Sequence, residues 1–121
     1  MENIALIGID LGKNSFHIHC QDRRGKAVYR KKFTRPKLIE FLATCPATTI
    51  AMEACGGSHF MARKLEELGH FPKLISPQFV RPFVKSNKND FVDAEAICEA
   101  ASRPSMRFVQ PRTESQQAMR A

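Results

Sequence analysis

Four carboxylates stand where this chain has little structural reason to place them. The run Ile4-Ala5-Leu6-Ile7-Gly8-Ile9-Asp10 carries six uncharged residues straight into an acid. An apolar run of that length suits a strand buried on both faces, and an unpaired charge at its end would be expensive. Thr48 to Met52, apolar and β-branched, runs in the same way into Glu53. Asp90 and Asp93 follow Asn89, a residue suited to capping a helix, and at that spacing both project from one helical face. Each acid has a plainer use. Asp10 can open a turn with Leu11-Gly12, and acids in a first helical turn complement the helix dipole. Together, however, they have a chemistry. Phosphoryl transfer by two metal ions needs several hard oxygen ligands converging so that two Mg²⁺ sit about 4 Å apart. One ion then activates the attacking oxygen and the other stabilises the leaving one. Four crowded carboxylates would repel one another strongly without such ions.

The elements that must carry these acids follow from periodicity. Ser15 to Cys20 alternates, with Phe16, Ile18 and Cys20 on one side and Ser15, His17 and His19 on the other, which predicts a half-covered strand. His17 and His19 have a spacing that could hold a metal, but no third ligand is near in the sequence, so their side is expected to be solvated. Ala27 to Phe33 closes a hairpin. Pro36, then Leu38, Phe41, Leu42 and Cys45, predict an amphipathic helix over 37–45, stopped by Pro46. Ser58 is expected to cap a helix from about His59 to Leu68, ended by Gly69. The preceding Gly56-Gly57 could admit a phosphate at a helix N-terminus; a plain strand-to-helix turn explains it equally well. Phe71 to Ile75 is a short strand, Gln78 to Val84 a brief helical piece, and a helix capped by Asn89 ends near Arg103-Pro104. Three antiparallel strands followed by α/β units make an α/β chain of the ribonuclease H-like fold, with a mixed five-stranded sheet flanked by helices. The acids fall at its strand ends and on its last helix. Residues 1–110 form that domain, and 111–121 begin a further helical segment that stops mid-pattern at Met119-Arg120-Ala121, as expected of a piece of a longer protein.

Composition narrows the partners. The chain has 121 residues, 43% hydrophobic and 26% charged, a globular balance for one modest core. Its formal charge is +7, from 19 Lys and Arg against 12 Asp and Glu, which points to a polyanion, nucleic acid before an anionic membrane. Arg23, Arg24, Lys26, Arg30, Lys31, Lys32, Arg35 and Lys37 form a run with no acid among them, carrying more than the whole net charge. Such a run can be a solvated edge that blocks unwanted sheet pairing; here contact with a phosphate backbone is favoured. No apolar run approaches the roughly 20 residues needed to span a bilayer, and Asp10 and Lys13 interrupt any signal-peptide core. Cys20, Cys45, Cys55 and Cys98 form no C-x-x-C pair and no zinc-finger spacing. All four are expected as small core residues in a reducing cytoplasm.

Ile-Gly-Ile-Asp10-Leu-Gly-Lys, Ala-Met-Glu53-Ala-Cys-Gly-Gly and Lys88-Asn-Asp90-Phe-Val-Asp93-Ala together resemble the signatures of the DEDD transposases of bacterial insertion sequences, whose N-terminal domain is similar to Holliday-junction resolvases of the RuvC type. The resemblance runs from Ile4 to beyond Pro111. It implies that Asp10, Glu53, Asp90 and Asp93 bind Mg²⁺, with Mn²⁺ able to substitute, and support DNA strand cleavage and exchange. It further implies a homo-oligomer acting on DNA, guided by a structured RNA, with a nucleophilic serine on a C-terminal domain. No serine of this chain stands in a matching motif. Arg23, Arg24, Arg30, Lys31 and Lys32 become a candidate nucleic-acid surface, and Lys88 either a phosphate contact or a solvated loop residue.

Two other functions fit parts of the pattern. Actin-like nucleotide phosphotransferases also place an Asp-Leu-Gly turn after a first strand, but they need a second glycine-rich loop and a second lobe, and 121 residues leave room for neither. A non-catalytic nucleic-acid-binding module would use the basic strand region alone and would tolerate loss of Asp10 or Asp93.

Overall fold

Alternation along the first strand decides the layout. The computed structural model describes residues 3–85, 89–113 and 115. In β1 (Leu6–Leu11), Ile7 and Ile9 enter one apolar layer while Leu6, Gly8 and Asp10 face the other side. The hairpin partner β2 (Phe16–Gln21) runs antiparallel to β1, and β3 (Ala27–Phe33) antiparallel to β2. β4 (Thr49–Glu53) and β5 (Phe71–Ile75) are added in parallel, giving the order β3-β2-β1-β4-β5. This is the mixed five-stranded sheet expected from the order of elements.

Two layers of helix cover the sheet. α1 (Arg35–Thr44) and α2 (Gly56–Glu67) bury Leu38, Leu42, Met61, Ala62 and Leu65 against Ile7, Ile9, Ile18, Ile50 and Met52. On the opposite face lie the short α3 (Pro77–Val80), a 3-10 turn over Arg81–Phe83, and α4 (Asp90–Ala101). Ala96, Ile97 and Ala100 of α4 pack with Ala51, Ile75 and Val80. α4 crosses β1 at Gly8, where a Cβ would run into the carbonyl oxygen of Ala94 and lie 2.8 Å from Cys98 Sγ. The glycine thus marks a close approach of helix to strand. The Asn89 cap forms as expected, its Oδ1 accepting from the amides of Phe91 and Val92, both at 2.9 Å.

Three expectations are corrected. β2 is buried along its whole length, because α4 covers the side on which His17 and His19 lie. α2 begins at Gly56 rather than His59, with Cys55 as its cap residue; Ser58 lies inside the first turn, its Oγ accepting from the Cys55 amide and donating to the Cys55 carbonyl, both at 2.8 Å. Cys20 and Cys98 are core residues, but Cys55, at that turn, is exposed.

The two sheet edges differ. β3 presents Arg30, Lys31 and Lys32 to solvent, whereas β5 is met at one point by returning chain: the Val109 amide donates to the Leu74 carbonyl at 2.7 Å. The following backbone is held to α2, where the Arg112 amide donates to His59 Nδ1 at 2.9 Å and Arg63 donates to the Arg112 carbonyl at 2.6 Å. The helical segment expected near Thr113 falls largely outside the described residues. Among the described residues, no helix is long and apolar enough to cross a membrane.

Gly8→Ala is expected to cost about 1–3 kcal/mol or more, since the obstruction is backbone. Gly57→Ala, at a helical position with open space around it, should be neutral or stabilising by up to about 1 kcal/mol. Urea unfolding of the two variants checks both signs.

Candidate metal centre

The strand ends and the helix start meet at one point. Asp10, on the α4 side of β1, is half-buried; Glu53 closes the neighbouring parallel strand on the same side, one step beyond the Ile9–Met52 pair. The two line a cleft of about 70 Å³ with Pro77 and Ile97. Asp90 and Asp93 come down on them from the first turn of α4.

Charge shows how tightly these acids are gathered. The Asp10 carboxyl is pushed up to about 7, first by burial, then by the charges of Asp93 and Asp90, by a hydrogen bond with Asp90, and by Glu53. Asp93, Asp90 and Glu53 are thus all within electrostatic reach of Asp10. A fifth group joins them. His17 pairs with Asp10 across the β1–β2 ladder, is only 8% exposed, and places Nε2 3.6 Å from Asp90 Oδ2. Asp10, His17 and Asp90 each offer a ligand atom within 4.8 Å of the others. That donor set, carboxylates with an imidazole, fits a divalent cation. The alternation of β2 places His17 on the Asp10 side, but nothing local in the sequence reveals that α4 encloses it.

The basic run does not form one surface. Arg30 and Lys32 are on the α4 side of β3, with Arg30 3.8 Å from Glu95 and Lys32 opposite His17 in the ladder. Lys31 is on the other side, its Nζ 5.3 Å from the centre of the Phe33 ring. Arg23 and Arg24 are in the β2–β3 turn at the far end of the strands, where they line a larger cavity of about 670 Å³ with Ile4, Thr48 and Phe71. That cavity is at the opposite end of the strands from the acids and, among the described residues, holds no comparable cluster. Lys88 lies outside the described residues. Nearer the acids, Lys13, Arg35, Cys55 and Phe60 line a cleft of about 310 Å³, with Arg35 over the Phe16 and Phe60 rings at 5.5 and 5.9 Å. Of these four only Arg35, as part of the basic run, was marked by local pattern.

A family model described as Transposase, for DEDD transposases of the IS110 type, matches residues 7–121. The chain belongs to this transposase family. Over its full length it is 71% identical to the transposase for insertion sequence element IS1328 of Yersinia enterocolitica, and 44% identical to that for IS1111A of Coxiella burnetii. It covers 36% and 33% of those two proteins, so the chain spans about a third of the length of the curated transposases it matches. Its fold is that of Thermus thermophilus RuvC, with a TM-score of 0.62 at 12% identity, covering 86% of this chain and 99% of the other. RuvC in complex with a Holliday junction substrate gives 0.60. The ribonuclease H-like, RuvC-like fold expected from the sequence is therefore present.

The raised Asp10 pKa has a stability consequence in the absence of metal. A carboxyl that holds its proton more tightly when folded contributes stability below its unfolded pKa of about 4, and loses it as pH rises toward about 7. Asp10→Asn should therefore raise the melting temperature in EDTA at pH 8 by several degrees, with little effect at pH 4. His19 and His59, whose pKa values burial lowers, oppose this trend in both proteins, so the difference between parent and variant isolates Asp10. Thermal unfolding followed by circular dichroism measures it.

Proposed function

We propose that this chain is the metal-dependent nuclease part of an insertion-sequence transposase, in which Asp10, Glu53, Asp90 and Asp93 hold divalent cations, Mg²⁺ or in its place Mn²⁺, against a phosphodiester of DNA. The observation that carries this reading is the charge gathered on half-buried Asp10, which feels Asp93 and Asp90 from one helical turn and Glu53 from the neighbouring strand end. As a stability device that arrangement is self-defeating, because it drives a carboxyl toward neutrality in a protein with a net charge of +7. The names of the relatives and the family match support the same activity.

The chain's own residues divide the work. Asp10 is central, and once its neighbours' charges are offset it gives up its proton and serves as a ligand. Glu53, at the end of the neighbouring strand, and Asp93, in the first turn of α4, would complete the set, and Asp90 extends it toward solvent, its side chain 60% exposed. Divalent ions bound there would supply the Lewis acidity that activates an attacking oxygen and stabilises the leaving one. Arg30 and Lys32, on the same side as the acids, hold the DNA backbone beside the cleft. We assign the attacking serine, recognition of a guide RNA and the contacts of a homo-oligomer to the remaining two thirds of the full-length protein.

Calorimetric titration with Mn²⁺ or Mg²⁺ tests the centre. Asp10→Ala and Asp93→Ala should each weaken binding by about 100-fold while the fold is retained, and both should abolish strand cleavage by the full-length protein. Variants that bind metal as the parent does would mean that the acids do not converge, leaving the non-catalytic nucleic-acid-binding module in its place. For the basic strand, Lys32→Ala should weaken DNA binding and lower the salt-dependence slope by about 1, whereas Lys31→Ala should change neither.

A further inference from the structure

His17 is buried in the centre of this site, and the four acids alone do not account for it. Its position is determined by the ladder, directly across from Asp10. The Phe91 ring meets its imidazole edge-on, with centroids 4.8 Å apart and planes at 86°, which restricts how the ring can turn. Its Nε2 lies 3.6 Å from Asp90 Oδ2, too far for a hydrogen bond. Two ligands of one cation, each about 2.0–2.2 Å from it at angles near 90–110°, stand about 3–3.6 Å apart, and this pair falls at the upper end of that range. His19 provides the contrast. It faces the same helix two residues on, but its Nδ1 already accepts from Arg30 Nε at 3.2 Å, and among the described residues it joins no ligand group.

We propose that His17 Nε2 is a ligand of the centre, entering the coordination sphere of the cation shared by Asp10 and Asp90, and that this nitrogen shifts the preference of the site from Mg²⁺ toward Mn²⁺. The proposal rests on the metal-dependent reading above and deepens it. Carboxylates alone make a hard, all-oxygen site suited to Mg²⁺. An imidazole in the set favours first-row transition ions, which accept nitrogen more readily. Because the ring is enclosed by β2, α4 and Phe91, it is held in place before the ion arrives and loses little freedom on binding.

Pulsed electron paramagnetic resonance of the protein loaded with substoichiometric Mn²⁺ decides the matter, since a directly bound imidazole imprints ¹⁴N modulation on the Mn²⁺ echo. That modulation is expected in the parent and in His19→Gln. It should vanish in His17→Leu, which should still bind Mn²⁺ through its acids, about tenfold more weakly, with a smaller loss for Mg²⁺. His17→Gln, which retains bulk and polarity, serves should the leucine variant not fold, and ¹⁵N-histidine labelling of the parent must move the modulation frequencies. Mn²⁺ that binds in an Asp10-dependent way without nitrogen modulation would overturn the role of His17 and leave the acidic centre standing. Modulation that persists in folded His17→Leu would overturn it equally. No Mn²⁺ binding by the parent would remove both.

Discussion

The contact on which the molecule turns is the one between α4 and β1 at Gly8. A helix carrying two of the four acids must come close enough to a strand carrying a third for their charges to be felt as one group. Helix-on-sheet packing with a side chain between them would hold α4 farther out. The absent Cβ lets the Ala94 carbonyl and the Cys98 thiol close onto the strand, and Cys98 Sγ reaches the His19 carbonyl at 3.4 Å. The acidic centre is thus a product of packing made a turn or two away. The Asn89 cap at the other end of the first turn sets where Asp90 and Asp93 begin.

The electrostatics and the packing oppose each other by design of the fold. Two well-filled layers, with Ile7, Ile9, Ile50 and Met52 on one side and Ile75, Ile97 and the α4 alanines on the other, hold together a rim that would otherwise spread. The strain falls on Asp10, half-buried in the rim. Active sites are commonly where local rules are broken and the surrounding structure compensates. Here the compensation is apolar and the violation is a cluster of like charges.

Much of this was legible in the residues themselves. Apolar runs that end in an acid located the strands that carry Asp10 and Glu53. Asn89 followed by two acids three apart identified the helix start. The order of strands and helices gave the sheet. What stayed hidden depended on contacts between distant segments. Alternation in β2 told which residues share a side, but not that α4 covers that side, so His17 and His19 looked solvated when they are enclosed. Gly8 looked like one more residue of an apolar run, since a close approach has no local signature. The basic run announced its charge plainly, yet a strand sends successive residues to opposite faces, so Lys31 and Lys32 part company. Ser58 was recognised as a capping residue and misplaced by one turn, because Cys55, a weak capper by type, takes the terminal position.

The two edges of the sheet are closed by unlike means. Along β5 the chain returns and donates an amide to the Leu74 carbonyl, a closure made of backbone. Along β3 the barrier is a row of like charges. A backbone bridge holds at any ionic strength, but the charge barrier, with Arg30 already beside Glu95, depends on Lys31 and Lys32 staying unmatched. Whatever polyanion settles along β3 therefore also removes what keeps that edge solitary. One edge of this sheet is pinned by backbone at Leu74, and the other is guarded by charge alone.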